Sequence, residues 1–212
     1  FVIFLDTYHT DFTNAVRLRG ALQQFIDRVV GQDDLLGLMT PEMGASAVTL
    51  GRRSTVVSRL LDNTTWGRRN RLNDDDPVEQ DYEACYVFED PSIFREMKAR
   101  RREKLSMDAL EDLVVHLGGL RDERKAVFAV SEGWIQYGRS ATLGRPLKEG
   151  PGPLLQPPGI VDRGATRGRG ERQVGTVDRQ KCEADRLALA NMDHTDRLQR
   201  IGEDANRVNV TF

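Results

Sequence analysis

The sequence has 212 residues, of which 39% are hydrophobic and 30% are charged, and its formal net charge is −2 at pH 7. These values are typical of a globular protein with a sizeable core, and they argue against a protein that binds nucleic acid or membranes through its overall charge. No apolar run approaches the roughly 20 residues that span a bilayer, so we expect no membrane-spanning segment.

The chain begins with an apolar run that ends in an acidic residue. The run Phe1–Leu5 is continuous rather than alternating, which predicts a strand buried on both faces. Asp6 follows it, and hydroxyl side chains come at Thr7, Tyr8 and Thr10. Open α/β folds bind ligands at the carboxyl edge of the sheet, and oxygen groups are the ligands that Mg²⁺ and Ca²⁺ prefer. The segment therefore predicts a binding site, with oxygen ligands, at the carboxyl edge of the sheet.

A helix and two further strands are predicted next. Apolar residues recur every three or four positions after Thr13, the expected N-cap, and Gly31 is the expected stop. Asp34–Thr40 is predicted to be a second strand and Ala47–Leu50 a short third strand at an edge. Ser54 is expected to cap another helix.

The middle of the chain is predicted to contain an insertion from about Asn63 to Leu105. It is expected to be polar and irregular to about Pro91 and to end in a charged helix over Ile93–Leu105. Ser106 is expected to open a separate amphipathic helix. Lys125–Val130 is predicted to be another buried strand, and Glu132 lies two residues after its end.

The last third combines an irregular segment with a helical one. Arg139–Val177 is rich in Gly, Pro and Arg and has no apolar period, so we expect it to be disordered and to contribute little to stability. Asp178–Asn206 is predicted to be helical with a break near Asp193, and Val208–Phe212 is predicted to be the last strand. Strands that alternate with helices predict an α/β fold with a mostly parallel sheet, covered by helices on both faces and with the first strand at its centre.

Two smaller features carry expectations of their own. The arginines 100–102 are interpreted as part of a solvated face, like the pair at 68–69. Cys85 and Cys182 either form one disulfide between the insertion and the last long helix or are two buried thiols, and a disulfide requires Cα atoms within about 7 Å.

Three separated pieces of the sequence are expected to meet at one edge of the sheet, namely the segment 6–10, Ser106 and Glu132. This arrangement resembles the von Willebrand factor type A (VWA) domain, in particular the VWFA-related type common in acidobacterial proteins. The resemblance extends along nearly the whole chain, through FVIFLDTYHT, DDLLGLMTPEMG, LSMDALEDLVVHLGGL, KAVFAVSEGW and ANRVNVTF. It implies a single domain over 1–212 with a doubly wound, Rossmann-like sheet and insertions at about 63–105 and 139–177.

Members of this family carry a metal-ion-dependent adhesion site, built from an Asp-x-Ser-x-Ser motif, a Thr from a second loop and an Asp after the fourth strand. The resemblance assigns Asp6, Thr10, Ser106 and Glu132 to these positions. Tyr8 stands where the family has its first Ser, and a phenol is a poor neutral ligand for a cation. Two interpretations stay open: a weakly held Mg²⁺, Mn²⁺ or Ca²⁺, or a polar cluster without metal.

For function, the resemblance implies a non-enzymatic, adhesion-type module that binds a protein partner, in a protein exported to the periplasm or the cell exterior. One alternative is a structural domain, without metal, of a larger exported protein. A less favoured alternative is a hydrolytic or phosphoryl-transfer enzyme that uses Asp6, although the sequence contains no P-loop and no Gly-x-Ser-x-Gly. Since the sequence starts and stops within predicted strands, we expect it to be part of a longer protein.

Overall fold

A five-stranded mixed sheet forms the centre of the protein. The computed structural model describes residues 1–52, 76–120, 123–146 and 178–212. The strands are β1 (Val2–Leu5), β2 (Leu35–Met39), β3 (Gly51–Arg52), β4 (Lys125–Val130) and β5 (Val210–Thr211), and their order is β3-β2-β1-β4-β5. The strands β2 and β4 run parallel to β1 on either side of it, β5 runs parallel to β4, and β3 is antiparallel to β2. The predicted α/β class, with a mostly parallel sheet and the first strand at its centre, is confirmed.

Helices pack on both faces of this sheet. They are α1 (Phe12–Val29), α2 (Pro77–Tyr86), α3 (Pro91–Gly118), α4 (Ala141–Gly144), α5 (Arg179–Ala190) and α6 (Arg197–Arg207). Alternate side chains of β1 point to opposite faces. Phe4 therefore packs in one core with apolar residues of α3 and α6, while Ile3 and Leu5 pack in another with residues of α1. Among the helices that the structure describes, none has the length and apolar character needed to cross a membrane.

A third core lies among helices alone. It joins α2, the first part of α3, α4 and α5, which we call the helical lobe, and its buried residues include Tyr86, Met97 and Leu143. Cys85 of α2 and Cys182 of α5 form a disulfide with their Cα atoms 6.6 Å apart. Of the two alternatives open for these cysteines, the disulfide between the insertion and the last helical segment is the one that the structure contains.

Several predicted boundaries are wrong for a physical reason. The two helices expected to meet at Ser106 are one continuous helix, Pro91–Gly118, because no helix breaker interrupts it and Ser106 bonds to another element instead of capping a new helix. Helix α1 is capped by Asp11, whose carboxylate accepts a hydrogen bond from the Thr13 N–H at 2.7 Å, so Thr13 is not the cap.

Two further elements differ from the predictions: Pro77–Tyr86, in the stretch expected to be irregular, is helix α2, and the edge strand lies at a different place. The third strand is Gly51–Arg52, preceded by a short 3₁₀ turn at Ala45–Ala47, and not the predicted 47–50 segment. The break expected near Asp193 is confirmed, since α5 ends at Ala190 and α6 begins at Arg197.

The segment predicted to be disordered from Arg139 begins with ordered, packed residues. Leu143 is 0% exposed in the core of the helical lobe, and the Arg186 guanidinium donates hydrogen bonds to the carbonyls of Leu143 and Arg145. The prediction is therefore wrong up to residue 146, and its remainder, 147–177, lies outside the described residues, as do the helix expected after Ser54 and the Arg68-Arg69 pair.

The arginines 100–102 are not a solvated face. Arg100 is 5% exposed and donates a hydrogen bond to the Gly138 carbonyl at 2.7 Å. Arg102 makes a bidentate ion pair with the buried Glu79, at 2.9 and 2.6 Å. These guanidinium groups join α3 to its neighbours, because each finds a carboxylate or carbonyl brought close by the fold.

Candidate functional site

The carboxyl end of β1 carries a fully buried acid, Asp6, which is 0% exposed. Its Oδ1 accepts hydrogen bonds from the Tyr8 N–H at 3.2 Å, the His9 N–H at 3.3 Å and the Ser106 hydroxyl at 2.8 Å. Oδ1 thus joins the segment after β1 to the middle of α3.

The other oxygen, Oδ2, faces the side chains of a second set of donors. It accepts from His9 Nδ1 at 2.8 Å, from the Ser131 hydroxyl at 3.0 Å and from the Trp134 indole Nε1 at 2.7 Å. Because an ionised carboxylate only accepts, the His9 Nδ1 carries the hydrogen in this contact. Oδ2 thus joins β1 to the loop that follows β4.

These hydrogen bonds keep Asp6 ionised although it is buried. Burial by itself raises the pKa of a carboxyl group, since it removes the charged form from water. Here the bonds from His9, Ser106 and Ser131 outweigh that effect, and the pKa of Asp6 lies below its ordinary value. A buried negative charge that is fully bonded in this way holds its donors in fixed positions.

A second buried carboxylate lies on the other side of His9. Glu103 is 0% exposed, and its Oε2 lies 3.6 Å from His9 Nε2. Glu103 also accepts hydrogen bonds from the backbone N–H groups of Ile135 at 3.4 Å and Gln136 at 3.0 Å. We call the segment 131–136 the β4 loop. It contains two residues with positive φ, Gly133 at 117° and Gln136 at 53°.

The β4 loop is therefore attached at two points to buried acids, through Trp134 to Asp6 and through its later backbone to Glu103. Ile135 donates its N–H to Glu103, yet the residue is 68% exposed. Asp6 follows the apolar strand β1 and Glu103 lies within α3, and because both carboxylates are 0% exposed, the loop supplies the donors that a buried charge requires.

The four residues predicted to bind metal are only partly brought together. Ser106 donates to Asp6, as described above, and Thr10 is fully buried nearby in the chain. Glu132 faces elsewhere, since its Oε1 accepts from the Asp11 N–H at 2.6 Å and from Asn14 Nδ2 at 2.9 Å, at the start of α1. Glu132 thus serves the positive end of α1, where a carboxylate is favourable.

Tyr8 contributes its backbone to Asp6 and directs its phenol to other charges. Burial raises the pKa of the Tyr8 hydroxyl to about 12, and the carboxylate of Glu42 adds to this effect. Arg101 lies close enough to oppose it. The phenol therefore stays neutral at ordinary pH.

Four members of the cluster were missed in the sequence: His9, Glu103, Ser131 and Trp134. A signal existed for most of them. His9 lies inside the segment that suggested the site, Ser131 and Trp134 flank the predicted Glu132, and Glu103 lies one helical turn before Ser106. His9 and Trp134 carry no oxygen ligand, and Glu103 and Ser131 do not stand at the positions of the metal motif, so the motif did not indicate these four residues.

The geometry does not make a hydrolytic triad. In such a triad the acid and the nucleophile bind opposite nitrogens of the histidine. Here Ser106 Oγ lies 3.4 Å from the same Nδ1 that bonds to Asp6, while Nε2 faces Glu103. Ser106 is also 0% exposed, as is Asp6, so neither oxygen is presented to a substrate from solvent.

The fit of a cation to this cluster is poor. A direct metal ligand needs a lone pair directed at the ion, but the Asp6 oxygens already accept hydrogen bonds from surrounding donors, and Glu132 is engaged at α1. Over the described part of the chain, no three His, Cys, Asp or Glu side chains are grouped so that they could hold a metal ion. Metal binding by Asp6, Thr10, Ser106 and Glu132 stays a prediction.

Comparison with protein-family models, with curated proteins and with solved structures gave no match to this chain. The resemblance to the VWA domain therefore rests on the sequence segments quoted above and on the general α/β architecture.

Proposed function

We propose that this chain is a non-enzymatic, protein-binding module with a VWA-like, doubly wound fold, and that its binding surface is the β4 loop at the carboxyl edge of the sheet. One observation carries the proposal. The Ile135 side chain is 68% exposed, yet the Trp134 indole before it is bonded to the buried Asp6, and the backbone N–H groups of Ile135 and Gln136 are bonded to the buried Glu103.

A rigid, exposed apolar side chain is well suited to bind a protein. Binding normally costs the entropy of ordering loops and side chains, and a loop that is already fixed avoids much of this cost. An apolar side chain that enters a pocket of the partner supplies the favourable burial, while polar neighbours form the rim. Glu132 and Arg139 are exposed on either side of Ile135 in the sequence and can form such a rim.

The test compares two apolar residues of similar exposure. Ile135→Asp places a charge at the proposed surface, and Val115→Asp places one on α3, where Val115 is 75% exposed. The immobilised wild-type chain is used to select ligands from a displayed library of folded protein domains, and the variants are then tested against them. We expect Ile135→Asp to abolish binding and Val115→Asp to retain it, with both variants folded by circular dichroism.

Equal loss or equal retention in the two variants would contradict the assignment of the surface. A chain that selects no ligand at all would favour the alternative, a structural domain of a larger protein. An enzyme that uses Asp6 is the less favoured alternative, because the carboxylate is 0% exposed.

We also propose an exported location for the full-length protein. The disulfide between Cys85 and Cys182 supports it, since disulfides persist in oxidising compartments and are rare in the reducing cytosol. Labelling of free thiols in cells that produce the protein tests this point. We expect both cysteines of the full-length protein to be protected from the thiol reagent, because they are joined in the disulfide. Labelling of both cysteines, with the protein found in the cytosol, would contradict the proposal.

A further inference from the structure

We infer that the β4 loop and His9 occupy the space that a cation at Asp6 would need, so that this sheet edge is held together by internal donors in place of a metal. The inference goes beyond the proposed binding function and does not depend on it.

Hydrogen-bond donors fill the space around Oδ2 of Asp6. Three donors surround it, at 2.7 Å for Trp134 Nε1, 2.8 Å for His9 Nδ1 and 3.0 Å for the Ser131 hydroxyl. Mg²⁺ would bind an oxygen at about 2.0–2.1 Å and would require an octahedral shell around itself. That volume is filled by N–H and O–H groups, whose hydrogens carry the same sign of charge as the cation.

The other oxygen, Oδ1, accepts from the Ser106 hydroxyl at 2.8 Å and from two backbone N–H groups. In this arrangement the Ser106 hydrogen is directed to Asp6, and both residues are 0% exposed. The oxygen therefore offers a cation no approach from solvent while these donors remain in place.

The β4 loop is held at a second point, away from Asp6. Displacing Trp134 would require the β4 loop to move, but the loop is also bonded to Glu103 through the N–H groups of Ile135 and Gln136. Glu103 is 0% exposed, so those bonds cannot be replaced by water without opening the structure. The two attachments support each other and keep the site closed.

Tyr8 is not the residue that keeps a cation from Asp6. Replacing Tyr8 with Ser would restore the residue type of the adhesion-site motif, but it would leave all of the side-chain donors on Oδ2 in place. We expect Tyr8→Ser to gain no metal binding. The closed site, and not the missing hydroxyl, prevents coordination.

The experiment titrates the whole chain with MgCl₂ and MnCl₂ in an isothermal calorimeter. We expect no saturable heat at millimolar metal for wild type and for Tyr8→Ser. The double variant His9→Ala/Trp134→Phe removes two of the three donors from Oδ2 and should gain saturable Mn²⁺ binding. Saturable heat in wild type that Asp6→Asn abolishes would overturn the inference, and so would a folded double variant that binds no Mn²⁺.

Hydrogen exchange of wild type keeps the inference testable if the double variant does not fold. We expect the amides of Ile135 and Gln136 to be protected, because Glu103 accepts their hydrogens, and their rates to be unchanged by Mn²⁺. Exchange at the rate of an unstructured chain, or protection that appears only with Mn²⁺, would overturn the inference.

Discussion

The charge of Asp6 is the feature on which most of the sheet edge depends. Asp6→Asn keeps the size of the side chain but replaces one acceptor oxygen with an NH₂ donor. Donors such as Ser131 and Trp134, which now point at Oδ2, would then lose a bond to a charged acceptor. We expect the free energy of unfolding to fall by about 3 kcal/mol, measured by urea denaturation.

The control for this substitution is Glu132→Gln, which changes an exposed carboxylate in the same region. We expect it to cost less than about 1 kcal/mol, because Gln keeps an acceptor oxygen for Asp11 and Asn14 and removes only a charge at the exposed N-terminus of α1. If Asp6→Asn proved no more harmful than Glu132→Gln, the buried carboxylate could not be what holds β1, α3 and the β4 loop together.

The pKa of Asp6 leads to a prediction about acid stability. Because the folded-state pKa lies below the ordinary value, the stabilisation from the ionised carboxylate is fully present above the unfolded pKa of about 3.9 and is lost as the pH falls through the folded pKa. The difference in unfolding free energy between wild type and Asp6→Asn should therefore be constant from pH 7 to about 4 and shrink below it.

Urea denaturation of the two proteins in a pH series measures this difference. Other carboxyl groups with lowered pKa values, such as Asp108 and Glu183, are present in both proteins and cancel in the comparison. A difference that grows as the pH falls would mean that Asp6 is protonated in the folded state.

At the scale of single elements, the disulfide is the simplest link to test. It joins residues 97 apart in sequence, and a cross-link over so long a loop restricts the unfolded chain strongly. We expect Cys85→Ala/Cys182→Ala to lower the free energy of unfolding by about 2–4 kcal/mol. The reductant TCEP should weaken wild type and leave the double variant unchanged. An equal effect on both proteins would show that the reductant acts elsewhere.

The packed start of the segment after Arg139 gives a second prediction about elements. Leu143 is 0% exposed in the core of the helical lobe, whereas Leu187 on α5 is 45% exposed. Leu143→Ala should lower the free energy of unfolding by about 2–4 kcal/mol, because it leaves a cavity. Leu187→Ala, the matched control, should cost less than about 1 kcal/mol. Equal small costs would restore the expectation that this part of the chain adds little stability.

The sequence was informative where the apolar pattern was continuous and strong. The runs that became β1, β2 and β4 could be predicted as strands from their continuous hydrophobicity. Their burial differs, since β1 is buried throughout and β2 over most of its length, whereas in β4, which was expected to be buried, Val127 is the one buried residue. The weak elements could not be predicted in this way. Gly51–Arg52 exists because β2 offers it an edge, and Ala141–Gly144 exists because the lobe buries Leu143.

The position of the candidate site in the fold could be predicted from the sequence, but most of the residues that form it could not. Asp6 and Ser106 were found because their residue types matched oxygen ligands. Trp134 and Glu103 were missed because their roles depend on which loop the tertiary structure brings over β1. Glu132 was assigned to the site from its distance after β4, yet one residue in a turn is enough to direct it to α1.

At the scale of the whole molecule, α3 connects the helical lobe to the sheet. Its 28 residues, Pro91–Gly118, form one uninterrupted helix that places Met97 in the core of the lobe and Leu110 and Leu113 in the core on the sheet. Glu103 and Ser106, which hold the β4 loop and Asp6, lie between those two cores. Order in the lobe should therefore be transmitted to the sheet edge through one rigid element.

The last prediction tests this coupling at Lys104, an exposed residue of α3 beside Glu103. Trp66, the other of the two tryptophans, is replaced by Phe in every protein compared, so that the fluorescence reports on Trp134. In this background we expect wild type to unfold in one transition that is identical by Trp134 fluorescence and by far-ultraviolet circular dichroism. Lys104→Pro should lower the midpoint substantially, because an interior proline costs about 3 kcal/mol or more, and Lys104→Ala should leave it nearly unchanged. If the sheet edge depends on α3, the Trp134 signal of Lys104→Pro should change before the global transition, since the proline lies next to the residue that holds the β4 loop. A Trp134 transition that stays at the wild-type midpoint would show that the sheet edge is stable without an intact α3.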